Sequence, residues 1–369
     1  MKKIPLIKPY IPKEAKDKIW EVLESGYLTE GPVTHQFENI VKDYIGCEYA
    51  MAVTSCTTGL EIALRALGIG PGDEVIVPDY TYPATADAVA IVGATIVIVD
   101  VARETMLIDY DAIEMAITEK TKAIIPVSLF GNPLDFDRLN TIKEKFNIPI
   151  IEDAACALGS EFNSIKTGNQ ADISVFSLHP RKFITTGEGG IITTDMTKWA
   201  DWIQSYKHFG MTVNDSRSSV VFERIGTNSK LSNILAAIGL VQMQEISKLL
   251  DQRLILANKY RKLLAPLSNV RLPETTPGGK HSYQSFCIYV EQRDRVLQKM
   301  KEWGIEVQIG TYALHRHPAF TPSDTCIIQG RLPGSNDVFE TCLTLPLYHE
   351  LTSEDQTYIV DKLALAMKG

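Results

Sequence analysis

One lysine in this sequence stands where it could act as a nucleophile. Lys182 lies in SVFSLHPRKFITTGEGG (174–190), between an apolar strand-like segment and a glycine-rich loop. A lysine held in a partly desolvated place has a lowered pKa, and its neutral amine can add to a carbonyl carbon. Solvated surface lysines are the commoner case, and Gly187, Gly189 and Gly190 also suit an ordinary tight turn. Three other segments could serve the same chemistry. IPIIED (148–153) ends in Glu152 and Asp153, followed by Ala154 and Ala155. A carboxylate there can pair with the protonated nitrogen of a pyridine ring and make that ring an electron sink, or it can cap a helix. Ser55-Cys56-Thr57-Thr58-Gly59 lies where a strand turns into a helix. Free N–H groups and two hydroxyls at such a start can cradle a phosphate, although Ser and Thr cap many helices. Tyr82, in PDYTY (78–82), follows a strand and could stack on a flat ligand or simply pack.

These residues need a scaffold, and the apolar pattern supplies one. Strand-like runs 50–55, 74–78, 95–100, 123–127 and 148–153 alternate with helix-like stretches 58–68 and 83–93. Their β-branched content and turn-rich edges favour strands. Strands separated by helices predict an α/β protein with a mostly parallel sheet covered on both faces, and ligand sites in such sheets lie at the carboxyl ends of strands. Beyond residue 230 the rhythm changes. Residues 231–264 read as one long helical stretch, 281–290 as a strand, and 296–303 and 353–367 as amphipathic helices. The expected division is a large domain over 1–245 and a smaller α+β domain over 246–369.

Composition bounds the function classes. The chain has 369 residues, 45% hydrophobic and 22% charged, as in globular proteins. Its formal net charge is −8, without a Lys/Arg-rich tract, so neither nucleic acid nor an anionic membrane is an expected partner. The six cysteines show no CxxC spacing, which argues against a metal site and suits reduced thiols in a cytoplasmic protein. The first apolar run is broken by Pro5, Lys8 and Pro9 and does not read as a signal peptide. No GxGxxG follows the first strand, which disfavours a nicotinamide-dependent dehydrogenase.

In their order these segments resemble the DegT/DnrJ/EryC1/StrS family, sugar aminotransferases of the aspartate-aminotransferase fold type. The matching text is GPVTHQFE (31–38), ALGIGPGDEVIVP (66–78), TYPATADA (81–88), TKAIIPVSLFGNP (121–133), IEDAACALGS (151–160), FSLHPRKFITTGEGG (176–190) and AAIGLVQ (236–242), so the resemblance spans essentially the whole chain. It implies pyridoxal 5'-phosphate (PLP), carried as a Schiff base on Lys182, which also moves the substrate proton. It implies Asp153 at the pyridine nitrogen, Tyr82 stacked on the ring, and Thr57, Thr58 and Ser177 at the phosphate. Asn228, in GTNSKL (226–231), would reach the phosphate of a neighbouring subunit in a homodimer with shared active sites. Cys156 stands where the family often has His or Gln beside the ring, and Cys56 replaces a frequent Gly in the phosphate loop. Ser229-Lys230 replaces a common Tyr-Arg pair; Lys230, and His315 in TYALHRHP (311–318), are the candidate sugar contacts. The expected reaction moves an amino group from L-glutamate to a nucleotide-linked keto sugar, with PLP cycling through pyridoxamine phosphate in ping-pong kinetics. Within the family the alternatives are a sugar dehydratase, disfavoured by Lys182 and the lack of cluster-spaced cysteines, and a non-catalytic regulator that keeps the fold.

Overall fold

The computed structural model describes residues 3–212 and 219–368. Strands of its two principal sheets are numbered here in chain order. The first sheet is built from β1 (Tyr49–Val53), β2 (Glu74–Pro78), β3 (Thr95–Val99), β4 (Thr121–Ile124), β5 (Ile151–Asp153), β6 (Ile173–Ser177) and β7 (Gly190–Thr194). The second contains β8 (Val270–Arg271), β9 (Phe286–Val290), β10 (Gln308–Ile309) and β12 (Cys342–Leu345), while β11 (Cys326–Ile328) returns to the first.

Parallel ladders join β11, β3, β2 and β4. Parallel bridges Ile124–Ile150 and Val127–Asp153 carry the order on to β5, which pairs in parallel with β6. Only β7 runs the other way, between β6 and β1. The spatial order is therefore β1-β7-β6-β5-β4-β2-β3-β11, a mostly parallel sheet as the alternation of runs predicts.

Period-two alternation explains why the strands read as continuous apolar runs. Val75, Val77, Ile96 and Ile98 face one core with Leu60, Ile62 and Leu64 of the helix Cys56–Ala66. Ile76, Val97, Val99 and Ile124 face another with Ile113, Leu139 and Ile142. Both faces are covered, so no strand position is left for a polar stripe.

The second sheet is antiparallel, in the order β8-β9-β12-β10, and packs in its own core with Tyr260, Val296, Ile359 and Leu363. The stretch 231–264, read as one helix, is two: Asn233–Gln244 and Ile246–Leu264, separated at Glu245 with φ −105° and ψ 8°. No Gly or Pro marks that break. Segments cross a division at 245/246 in both directions. Ile4 bridges Ile305 and packs in the second core, whereas β11 extends the edge of the first sheet.

Candidate active site

The sheet register builds the site. Val53, Gly190 and Ser177 form one row across β1, β7 and β6, and Asp153 pairs with Val175, two residues back on β6. The carboxyl ends of β1, β6 and β5 thus open at one edge, where β7 begins. Gly190 is required there by contact alone: a Cβ would lie 2.7 Å from the Ser55 carbonyl carbon and 2.8 Å from Cys56 N.

That close approach seats the start of the helix Cys56–Ala66. Ser55 caps it, its Oγ accepting from Thr58 N at 3.1 Å and lying 2.9 Å from Thr58 Oγ1. The first N–H groups of a helix have no acceptor within it, so the Cys56 and Thr57 amides and the positive end of the helix dipole can hold an anion. Ser177 stands beside it in the register row.

The adjacent acids Glu152 and Asp153 part company, because neighbours on a strand face opposite ways. Glu152 is fully buried among Ser128 Oγ (2.5 Å), Ser174 Oγ (2.9 Å) and Gly168 N (3.3 Å), all donating to it. Asp153 turns to the site. Thr85 Oγ1 donates to its Oδ2 at 2.8 Å and Ala155 N to its Oδ1 at 3.1 Å. Burial pushes its carboxyl above the ordinary aspartate value, while Thr85, Ala155 and the nearby Lys182 pull the other way. Thr85 was not singled out in the sequence; its position, one turn after Tyr82 at a helix start, is the only signal it gave.

Lys182 donates from Nζ to Cys156 Sγ at 2.9 Å. Here the expectation of a lowered pKa fails. Burial does oppose the ammonium, but Cys156, Cys56 and Asp153 outweigh it and hold the amine above the ordinary lysine value. Cys56, at the helix start, lies near both Lys182 and Asp153, and burial pushes its thiol well above the ordinary value.

Lys182 and Cys156 open into a cleft walled by Tyr82, Phe130, Arg181, Gln284, Gln308 and Thr311 among others. Tyr82 is 65% exposed, 6.2 Å from the Tyr312 ring. Arg181 and Gln284 also belong to this wall and were missed, since nothing in their spacing distinguishes them.

The remaining candidates lie elsewhere. His315 does not line this cleft: its Nδ1 is 2.7 Å from Oδ2 of the buried Asp79, which also accepts from Ser335 Oγ. Asn228 is exposed and accepts from Lys230 Nζ at 2.7 Å, and Lys230 also lies 4.8 Å from the Phe209 ring centre. Their segment runs beside β1, with Thr54 N donating to Ser229 O at 3.1 Å.

Residues 9–364 match the DegT/DnrJ/EryC1/StrS aminotransferase family. The chain belongs to that family. It is a PLP-dependent aminotransferase by that membership, and its architecture is matched by solved structures throughout. Spr1654 of Streptococcus pneumoniae, provisionally assigned as a sugar aminotransferase, is 31% identical in its PMP form, with 100% of this chain and 98% of that one covered and a TM-score of 0.93. PseC of Helicobacter pylori, an aminotransferase involved in the biosynthesis of pseudoaminic acid, is 25% identical, with 100% of both chains covered and a TM-score of 0.93. An uncharacterised protein of Methanocaldococcus jannaschii is 32% identical over 371 residues, 97% of this chain and 96% of its own.

The site's donor set fits PLP. An amine suits its aldehyde, the buried carboxylate of Asp153 suits its ring nitrogen, and the cradle that a Cβ at Gly190 would fill suits its phosphate.

Proposed function

We propose that the enzyme transfers an amino group from L-glutamate to a nucleotide-linked keto sugar, alternating PLP and pyridoxamine phosphate forms in ping-pong kinetics, in the cytoplasm. The observation that carries this reading is the convergence of Lys182, Asp153 and the Cys56–Ala66 helix start on one sheet edge. When bound, the cofactor supplies a carbonyl that accepts the amine and a ring that withdraws electrons from the carbon losing its proton.

The chain's residues do the rest. Lys182 would hold the cofactor through Nζ and, once its amine is free, would take the proton from the substrate's α-carbon and return it elsewhere. Its ammonium must first lose a proton, and Cys156 Sγ, at 2.9 Å, is the neighbour that holds it. Asp153, held by hydrogen bonds from Thr85 and Ala155, would face the ring nitrogen and favour its protonation. Tyr82 would cover the ring. The Cys56 and Thr57 amides, with the Thr57, Thr58 and Ser177 hydroxyls, would hold the phosphate. The cleft beyond offers hydroxyl, amide and guanidinium groups from Thr311, Gln308 and Arg181 to a polyhydroxylated acceptor.

Asn228 completes the phosphate site of a second subunit in this reading. Its surroundings suit a homodimer contact: Phe222 is 64% and Ile225 97% exposed, beside Phe209. Lys230 lies in the same contact and meets the acceptor from there.

Visible absorbance tests the proposal. Wild-type protein reconstituted with PLP should show a lysine-bound cofactor band that L-glutamate bleaches, and Lys182→Ala should lack it. Wild type that takes up no PLP ends this reading. A band untouched by glutamate keeps the cofactor but removes glutamate as donor.

A further inference from the structure

The peptide groups that flank Lys182 are held from behind by one side chain. Gln284, 5% exposed, accepts from Phe183 N through Oε1 at 3.2 Å and donates from Nε2 to Arg181 O at 2.8 Å. The peptide groups on either side of Lys182 are thus tied to one amide, while Lys182 N donates to His179 O at 2.8 Å. Buried Gln242 treats the end of the loop similarly, accepting from Thr185 N at 3.1 Å and donating to Thr185 O.

Gln284 is itself anchored. Arg253, on the helix Ile246–Leu264 and 1% exposed, donates from Nη2 to Gln284 O at 2.7 Å and from Nε to Tyr283 O at 2.8 Å. Its guanidinium lies 5.4 Å from the centre of the Phe183 ring. Among the described residues no carboxylate lies within 4.0 Å of it, and burial pushes the guanidinium down to about 9. A buried charge answered by carbonyl dipoles and a ring is costly. So is Tyr283, a non-glycine residue at φ +52°. Both costs fall on the residues that hold one amide against the lysine loop.

We infer that Gln284 is a positioning residue for Lys182, clamping the peptide groups that flank it, and that Arg253 locks this clamp from the C-terminal half of the chain. The inference rests on Lys182 being the reactive lysine. Gln is specified by shape and chemistry: Asn is one methylene short, and an ionised Glu could accept from Phe183 N–H but not donate to Arg181 C=O. With one bond from each end spent on the loop, Gln284 forms part of the cleft wall without being its substrate contact.

The test strips cofactor from full-length wild type, Gln284→Ala, Gln284→Glu, Arg253→Lys and Lys182→Ala. PLP is added back, borohydride is added at intervals, and PLP fixed at residue 182 is counted by peptide mass spectrometry; kcat and KM for L-glutamate are measured alongside. Misplacement of a reacting group by about 1 Å costs about 100-fold, so Gln284→Ala should fix PLP about 100-fold more slowly and lose kcat similarly, with KM within about threefold. Gln284→Glu should lose about tenfold, the size of one hydrogen bond. Arg253→Lys, which keeps charge without the forked donation, should slow fixation in the same direction. Fixation at the wild-type rate in Gln284→Ala overturns the inference, as does a raised KM with unchanged kcat, which would make Gln284 a substrate contact. If Gln284→Ala does not fold, wild-type rates in both Gln284→Glu and Arg253→Lys overturn it. Wild type that fixes nothing at Lys182 takes down the proposed function, and this inference with it.

Discussion

Replacing Gly190 with alanine should separate the sheet from the proposed phosphate cradle. Gly190 is not in the left-handed region, so alanine meets no backbone penalty there. What it meets is backbone: Ser55 C at 2.7 Å, Cys56 N at 2.8 Å and Ser55 O at 2.8 Å. Carbon contacts are comfortable only near 3.5 Å, so the helix start must retreat by about 0.7 Å. Overpacking of this kind costs about 1–3 kcal/mol of stability. The cradle offers two free amides, each worth about 1.5–3 kcal/mol to a charged acceptor. Losing about half of each removes roughly 2 kcal/mol, or about 30-fold in PLP affinity. Stripped protein titrated with PLP, with urea melts in parallel, measures both terms. Gly70→Ala is the control, since its Cβ would meet only Val92 O at an ordinary 3.7 Å. A Gly190→Ala protein that folds and binds PLP as tightly as wild type would show that the phosphate does not sit at this helix start.

Other perturbations probe the site and its frame. Cys156→Ala removes the partner that, against the opposing effect of burial, holds Lys182 protonated. The neutral amine becomes more abundant at pH 7–8 and PLP capture should quicken roughly fivefold, for about 1 kcal/mol of lost ammonium stabilisation; slower capture contradicts this. Thr85→Val removes a donor to Asp153, whose carboxyl burial already holds above the ordinary value. The carboxyl rises further, so as pH falls from 8.5 the variant should lose PLP affinity at a higher pH than wild type; superimposable profiles refute it. Because the shift is upward, the stripped protein's stability from this group is full below the ordinary aspartate pKa and lost as pH rises through the shifted one. Ile225→Asp places a charge on a side chain that is 97% exposed in the lone chain, and sedimentation should show a weakened dimer; an unchanged dimer places the interface elsewhere. Lys207→Met takes the fully buried cation from Glu30 (2.8 Å) and Glu38 (3.3 Å), and urea melts should show a loss of about 3–5 kcal/mol.

The sheet was legible because both its faces are buried, and Glu74–Pro78 and Ser353–Met367 fall on the residues their patterns predict. Asp153 and Lys182, 29 positions apart in the numbering, meet because strand ends in parallel sheets share an edge. What could not be read is whatever depends on who stands behind whom. The lysine's amine is held up against burial chiefly by Cys156, brought in from another segment. Gln284 and Arg253 act through backbone groups, which carry no residue signature. His315 is claimed by Asp79, which also accepts from Ser335, because Tyr312–Ala313 pairs with Tyr80–Thr81, a two-residue ladder too short to leave a pattern.

Strand β11 sets a timetable for biosynthesis. The first sheet holds its N-terminal strands through β7 by residue 194, yet the outer edge of β3 is paired only by residues 326–328. At about 5–20 residues per second, a ribosome reaches those residues roughly 10–45 s after finishing β3. Through that interval the β3 backbone of TIVIV is an open template for other chains. Truncated products that stop short of β11 should therefore be the aggregating species of this protein, and slowing translation late in the message should do more harm than slowing it early.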